Sequence, residues 1–433
     1  MMKSRYDVIV CGSGPAGLSA AVAASAPWDD GGEEGRRRRR TAVLLAERLG
    51  RFGGKLPASG GGRCNFSNLL APVPFMEAFG RNGRFMTESL RTAPREWLCD
   101  FLKERGVVPE AADGFHYFPR SGRATDILDV FLRTAEENGT ECRLNDEAEE
   151  LILENGSISA VRFRSGETLS CRSVVLACGG TAMPALGGTD SGLKLAKSIG
   201  HDIVTPLPAM APICLREDWV KRLSGISLPD VRLSFSSGRL HSAARGELLF
   251  THEGFSGPAA INLSAEAAEV FRKKGALSIR LSFHAAMTPE KWAEELGKRK
   301  SQDPAKQIKT VLSAFLPRSL AEAVTAETDL SGRIMRDLPP RELERLIRFL
   351  CSAEFHVERN APMEKAMAMK GGVSLREVDP KRLESRLVKG VFFAGELLDL
   401  TGPCGGYNIQ FAFSSGRLAG ICAAENAAGS SGS

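Results

Sequence analysis

Several things this sequence lacks narrow what it can be. No run of about eighteen apolar residues occurs in its 433 residues, so nothing reads as a transmembrane helix and no membrane partner is expected. Its ten cysteines fall at irregular spacings, with no C-x-x-C pair and no cluster with histidine. That argues against a zinc site and against a disulfide framework in a chain this long; no metal is expected, and a reduced, cytoplasmic setting fits. The net charge is only +5, and no basic face carries interleaved aromatics, so nucleic acid is not expected as a partner. A secretory leader is not expected either. Lys3 and Arg5, an apolar stretch and Ala24-Ser25-Ala26 imitate one, but Asp7 and a Gly-Ser-Gly-Pro loop interrupt it. What remains is an ordinary globular composition, 43% hydrophobic and 25% charged, with length for two to three domains.

The stretch Arg5–Leu18 organises the rest. Tyr6–Cys11 is short, apolar and β-branched, the composition of a buried parallel strand. It runs into Gly12-Ser13-Gly14-Pro15-Ala16-Gly17, a G-x-G-x-x-G where a helix should begin. Glycine lets a tight turn bring backbone N–H groups against a pyrophosphate, and the helix N-terminus adds partial positive charge. This predicts a dinucleotide site. Such sites want an acidic residue about 20 positions further on, to accept from ribose hydroxyls. Glu47 closes the next strand, Thr41–Ala46, but lies 35 positions after Gly12; with the thirteen residues Trp28–Arg40 set aside the distance becomes 22. Those thirteen, DDGGEEGRRRRR after Trp28, read as a solvated surface insert whose acidic half balances its basic half. No second G-x-G-x-x-G follows a strand, so a dedicated NAD(P)H domain is not expected.

Leu56–Asn68 reads LPASGGGRCNFSN. Three glycines let backbone approach a ligand, Arg63 supplies a cation, and Asn65 and Asn68 supply amides; this is read as a ligand-contacting loop. His116 and Tyr117 could line a pocket, though aromatic packing over a sheet edge is the simpler reading. Asn155-Gly156 between two apolar runs predicts a hairpin. Ser173–Ala177 is a buried strand ending in Cys178-Gly179-Gly180, which repeats the logic of the opening motif. From Ile203 to about Phe283 short strands predominate. Within them His252 in FTHEGFSGP is a candidate acid–base group, since histidine titrates near neutrality. The competing reading is a glycine-rich turn in which Ser256 caps a helix entered through Pro258. Pro289–Val357 is mostly helical. Gly371–Gly420 returns to α/β character, and Gly390–Ala394 is a strand followed by Gly395-Glu396. A glycine-rich loop then leads to a helix near Asn408, with Gly416 and Gly420 spaced for tight packing on a neighbour, expected to be the first helix.

These motifs together resemble the BaiN-like (YhiN-like) family of FAD-dependent oxidoreductases, flavoproteins of the two-dinucleotide-binding-domain type. The matching stretches are Gly12–Gly17, SGGGRCNFSN at Ser59–Asn68, FPRSGRATDILD at Phe118–Asp129, Ala177–Gly192, Gly246–Ser264 and Gly371–Gly420. The resemblance implies an α/β fold: a Rossmann-like FAD-binding domain made of residues 1–202 and 358–433, a β-barrel-like insert at 203–287 and a helical subdomain at 288–357. Gly12–Gly17 would hold the FAD pyrophosphate, and Glu47, with Ala148 beyond it, the adenosine end. Lys55, Gly62, Arg63 and Asn65 would lie along the cofactor, with Cys178, Gly179 and Gly180 beside it. Gly395, Glu396, Asp399, Gly406, Tyr407, Asn408 and Ile409 would approach the ribityl and ring end. The implied reaction moves a hydride between flavin N5 and a small organic substrate, as in NAD(P)H-dependent reduction of C=C bonds in enone or steroid-like compounds. Amine or aminoketone oxidation and RNA modification are the alternatives. NADH or NADPH would be a transient donor docking at the substrate mouth. The Trp28–Arg40 insert, Met369 in place of an expected threonine, and Cys404 depart from the family pattern.

Overall fold

The computed structural model describes residues 5–27 and 41–429, so the insert at 28–40 lies outside the described residues. The chain divides into two units: Met1–Pro206 with Ala368–Ser433, and Leu207–Met367.

The first unit is built on five parallel strands: β1 (Val8–Cys11), β2 (Val43–Ala46), β3 (Glu141–Arg143), β4 (Ser173–Leu176) and β5 (Val391–Phe393). Their order is β5-β4-β1-β2-β3. Four of them, VIVC, VLLA, SVVL and VFF, are buried at every position, as parallel strands covered on both faces must be. β1 is central: the chain leaves it for β2 on one side and later returns to β4 on the other. That reversal opens a crevice at the carboxyl end of β1, where ligands of doubly wound sheets bind.

Three helices matter for the site: α1 (Pro15–Ser25), α2 (Ala124–Glu137) and α3 (Tyr407–Gly429). Every residue of α1 from Ala16 to Ser25 is buried. α3 lies against it because Gly416 and Gly420 carry no side chain; a methyl on either would sit 2.1 Å from Ala16 O or 2.3 Å from Ala20 O. Ser19 Oγ also donates to Phe413 O (2.7 Å), and Phe413 stacks on Phe131 of α2 with centroids 4.7 Å apart. The hairpin predicted at Asn155-Gly156 joins Ala148–Glu154 to Ser157–Phe163. Both turn residues have positive φ (50° and 76°), as a type I′ turn requires.

The second unit is a closed six-stranded barrel in the order Ile213–Leu215, Gly254–Ser256, Leu240–Thr251, Ser227–Ser237, Ser278–Ser282, Ala353–Arg359. Its last strand begins inside the stretch expected to be helical, Pro289–Val357, and runs past its end. The heptapeptide AEFHVER follows the helix Pro340–Ser352 directly, and Ala353, Phe355 and Val357 alternate inward. The period changes from 3.6 to 2 with no turn residue to announce it. Nor is the helical stretch separate: Trp292, Leu296, Leu320 and Leu346 share one core with Leu233, Phe250, Phe255 and Phe355 of the barrel. The boundary with the first unit accordingly falls after Met367 rather than before residue 358.

Candidate cofactor and active site

At the carboxyl end of β1 the backbone turns at Gly12 (φ 100°), where a methyl would meet Ala177 O at 2.6 Å. Gly17 packs still closer, its methyl position 1.8 Å from Gly12 O. Gly14 differs: nothing lies within 4 Å of its methyl position, so it faces open space. It is also the N-cap of α1, and no side chain caps that helix. The first-turn N–H groups have no intrahelical partner, and the positive end of the helix points into the crevice. Pro15, at the first helical position, has no N–H to satisfy. The arrangement is an anion cradle.

Glu47 follows β2 and is buried. Ser13 N–H (3.0 Å) and Ser13 Oγ (2.7 Å) donate to its Oε2, and Leu49 N–H (2.9 Å) donates to Oε1. A carboxylate offers about four acceptor positions. Three are used within the chain, so Glu47 fixes the glycine loop and retains one for a ligand hydroxyl. Ala148 stands at the start of its hairpin strand, just beyond Asp146, whose N–H donates to Glu47 O at 3.1 Å.

Beyond β4 and β5 the crevice has charged and tight walls. Lys55 Nζ lies 2.5 Å from Glu396 Oε2, and Met369 N–H donates to Oε1 at 2.8 Å. A methyl on Gly179 would lie 3.8 Å from the same carboxylate; on Gly180 it would strike the Met369 side chain at 2.9 Å. The Met369 sulfur accepts from Thr181 Oγ1 (3.5 Å), and Thr401 Oγ1 donates to Met369 O at 2.6 Å. Hydroxyls therefore come from 181 and 401 around this position, not from residue 369. Cys178 Sγ faces Cys11 O at 3.5 Å, and burial raises its thiol to about 12, so it stays protonated and inert as a nucleophile. Gly395 fits against Ala16, a methyl there meeting Ala16 Cβ at 2.8 Å, and its N–H donates to Ser415 Oγ at 3.0 Å. Asp399 follows, its N–H donating to Val373 O at 3.1 Å.

The second glycine loop enters α3. Residues Gly60, Gly61, Gly62 and Cys64 all have positive φ (57°, 67°, 88° and 59°), and they fold the SGGGRCN segment against residues 402–408. With its amide nitrogen toward Ser67 O (2.9 Å), Asn65 accepts from Gly406 N–H at 3.3 Å. Asn68 Nδ2 donates to Gly405 O at 2.8 Å. Asn408 closes its own loop, accepting from Gly402 N–H (2.8 Å) and donating to Gly402 O (3.0 Å). Tyr407 is buried against Phe75, centroids 5.0 Å apart, and Ile409 continues the first turn. Two motifs more than three hundred residues apart thus form one wall, cross-linked by neutral amides.

Not every expected residue joins it. Arg63 is exposed and stacks over Phe118 at 4.8 Å, its Nε donating to Gly60 O at 3.4 Å. His252 sits on an exposed turn between two barrel strands, and no partner for its ring is recorded among the described residues. The helix after it is N-capped by Gly257 rather than by Ser256. Asp113 and His116 lie beside the second loop; the sequence offers His116 only as a pocket wall, with aromatic packing the simpler reading, and does not single out Asp113. Their signal, an acid three positions before a histidine, is too common to stand out.

The donor set suits an FAD. Because Gly416 packs on Ala16 and Gly420 on Ala20, α1 and α3 run parallel. Tyr407 precedes Gly416 by nine residues and Pro15 precedes Ala16 by one, so at 1.5 Å per residue α3 starts about 12 Å beyond the start of α1 along the helix axes. A pyrophosphate at α1 and a flavin ring near α3 need a reach of this order.

Fold and site define a Rossmann-type FAD-binding oxidoreductase, a flavoprotein of the BaiN-like kind. The chain belongs to the HI0933-like family, whose Rossmann-domain model matches residues 6–422. It is 29% identical over 417 residues to the ribosomal RNA dihydrouridine synthase of Escherichia coli, covering 95% of this chain and 96% of that one. It is 27% identical over 418 residues to the 3-dehydro-bile acid delta(4,6)-reductase of Clostridium scindens, covering 96% and 98%. Among solved structures, the 3-ketosteroid delta1-dehydrogenase of Sterolibacterium denitrificans shares the fold (TM-score 0.51, 15% identity, covering 98% of this chain and 100% of that one). No described helix is long and apolar enough to cross a membrane.

Proposed function

We propose that this chain is an FAD-dependent reductase that saturates a carbon–carbon double bond conjugated to a carbonyl, with NADH or NADPH as the electron donor. The observation that carries the reading is the pair of parallel helix entrances offset by about 12 Å along their axes, an anion cradle at one and an amide-walled loop at the other. When bound, FAD supplies the two-electron chemistry. The chain's own residues bind and orient: Gly12–Gly17 and α1 receive the pyrophosphate, Glu47 takes a ribose hydroxyl, and Lys55 and Glu396 flank the middle of the cofactor. The α3 entrance favours negative charge at the ring's polar edge. The two near-full-length relatives support the substrate class, since dihydrouridine is uridine with its ring C=C saturated and a delta(4,6)-reductase removes C=C bonds.

A second reading makes the conjugated ring a uridine within RNA. The Escherichia coli relative favours it, and the Arg36–Arg40 run is the sequence feature that fits it. One experiment separates these. The purified yellow protein is reduced anaerobically with NADH or NADPH, then mixed with a 3-oxo-4-ene steroid, cyclohexenone, a uridine-bearing ribosomal RNA fragment, or dioxygen. Fast reoxidation with a two-hydrogen mass gain in the steroid or enone supports the first substrate, and in the RNA the second. Bleaching by amines, with reoxidation by dioxygen alone, points instead to an amine or aminoketone oxidase. A colourless protein that cannot be reconstituted with FAD sinks all of them.

A further inference from the structure

Beside the second glycine loop lies a histidine–carboxylate pair that the cofactor cradle does not use. Asp113 sits on a turn where its Oδ1 accepts from the N–H groups of Phe115 (2.9 Å) and His116 (2.7 Å). Its Oδ2 lies 2.6 Å from His116 Nδ1. The His116 ring and backbone bonds, with that of Phe115, hold the Asp113 carboxyl far below the usual carboxylate range, so it remains an anion. The carboxylate therefore keeps a proton on Nδ1 and orients the ring, the arrangement that prepares the opposite nitrogen for proton transfer.

That opposite nitrogen is directed at the loop. His116 lies on the strand His116–Pro119, which pairs with Ser67–Asn68 in the register Asn68 with His116. Asn68 in turn holds Gly405 O. A methyl on Gly405 would lie 3.4 Å from His116 Nε2; glycine leaves that space clear. No hydrogen bond to Nε2 is recorded among the described residues, and the side chain is 35% exposed, so water can return a proton to it. Charged groups approach from three sides, Arg95 among them, donating to Asn68 O (3.0 Å) and lying over Tyr117. Asp113 is on its own turn, and Arg63 lies over Phe118, whose ring is 6.5 Å from the imidazole. From the facing loop, Cys404 and Tyr407 flank Gly405, and burial raises both, leaving them neutral.

We propose that the Asp113–His116 pair is the acid of the reduction, His116 Nε2 delivering a proton to the carbon next to the substrate carbonyl. This rests on the proposed conjugated C=C reductase. Bound reduced flavin would supply the hydride to the far carbon of the double bond as the C=C π bond breaks. The new C–H bond at the near carbon takes its proton from Nε2, whose N–H bond breaks. His116 is left neutral and regains a proton from water, while Asp113 stays ionised throughout.

The test uses the FAD-loaded enzyme and His116→Gln, with Asp113→Asn as the companion. Reduction of the flavin by dithionite and the flavin-to-protein ratio should be unchanged in both. Reoxidation by whichever of the steroid, cyclohexenone or RNA fragment serves the wild type fastest should slow about 100-fold or more in His116→Gln, the scale of general acid catalysis. Its half-saturating concentration should stay within about threefold. Independently of turnover, ¹⁵N NMR of histidine-labelled protein should show one ring protonated at Nδ1 that loses this form in Asp113→Asn. Rates within about threefold of wild type, or a lost flavin, overturn the assignment, the latter marking a clamp on the Gly405 loop. A wild type that no conjugated alkene reoxidises instead removes the reductase reading, and this acid with it.

Discussion

The two glycine-rich entrances to α1 and α3 solve one problem in opposite ways. Each must present the start of a helix to a ligand without a capping side chain in the way. At α1 the turn is held by a charge: Glu47 takes Ser13 through both its N–H and its hydroxyl. At α3 it is held by neutral amides, Asn65, Asn68 and Asn408, each bonded to backbone of the Gly402–Gly406 segment. On the proposed FAD site, a buried carboxylate behind the α1 turn would leave the helix end and the N–H groups to face the pyrophosphate, with the negative charge on the ribose side. A carboxylate behind the α3 loop would oppose negative charge arriving at the ring, so amides hold that loop instead. On the proposed FAD site, the difference would separate a permanent anion site from one where charge comes and goes.

The largest expected effects break either entrance outright. Gly17→Ala places a methyl within 1.8 Å of Gly12 O, and Gly406→Ala places one 2.5 Å from Ser67 O at a φ of 81°. Each should destabilise by about 3 kcal/mol or more and yield protein without flavin, read by absorbance and thermal melting. Retained yellow colour in either variant contradicts the geometry drawn here.

Glu47→Gln comes next. It turns an amide N–H₂ toward donors and removes the charge, which should cost about 1–3 kcal/mol and weaken FAD at least tenfold by fluorescence titration. Asn68→Ala removes one neutral bond at the other entrance and should cost about 1–2 kcal/mol, with FAD weakened less than in Glu47→Gln. A reversal of that ranking would remove the distinction between a charged and a neutral hinge.

A smaller effect is set by pH. His201 is buried against Phe393, its Nε2 2.7 Å from Ser385 Oγ, and burial lowers its pKa below the ordinary 6.5 despite Glu377 nearby. The unfolded chain then binds the proton more readily than the folded one, so this contribution to stability is present above about pH 6.5 and is lost as pH falls. Urea midpoints should drop between pH 7.5 and 5.5, and His201→Gln should drop less. Smallest of all, deleting Trp28–Arg40 should leave flavin content unchanged, and loss of flavin would falsify its reading as a surface insert.

How much of this could be read from the chain follows from where the constraints are local. Gly12–Gly17 and Glu47 are visible because backbone clearance and a strand-end acid act within one strand–turn–helix. Gly416 and Gly420 are visible because their spacing marks a face. The Asp113–His116 pair is not, since its meaning depends on the register of two short strands and on a loop nearly three hundred residues away. The strand Ala353–Arg359 escapes for a related reason: it belongs to the barrel only through partners at Ser278–Leu281 and Cys214–Leu215. Asn408 was legible as a helix start, but not as the residue that closes its own loop.

The packing of α3 on α1 also bears on how the protein comes to be made. Ser19 finds its partner only at Phe413, and the wall behind Gly406 exists only once the chain has returned to Asn65. During synthesis β1 and α1 are made nearly four hundred residues before α3, so the proposed site would stay half-built until α3 arrives. On the proposed FAD site, capture of the coenzyme would then follow the closing of α3 on α1 rather than precede it. Nascent chains halted before Tyr407 should leave the ribosome able to bury β1 but unable to hold the coenzyme.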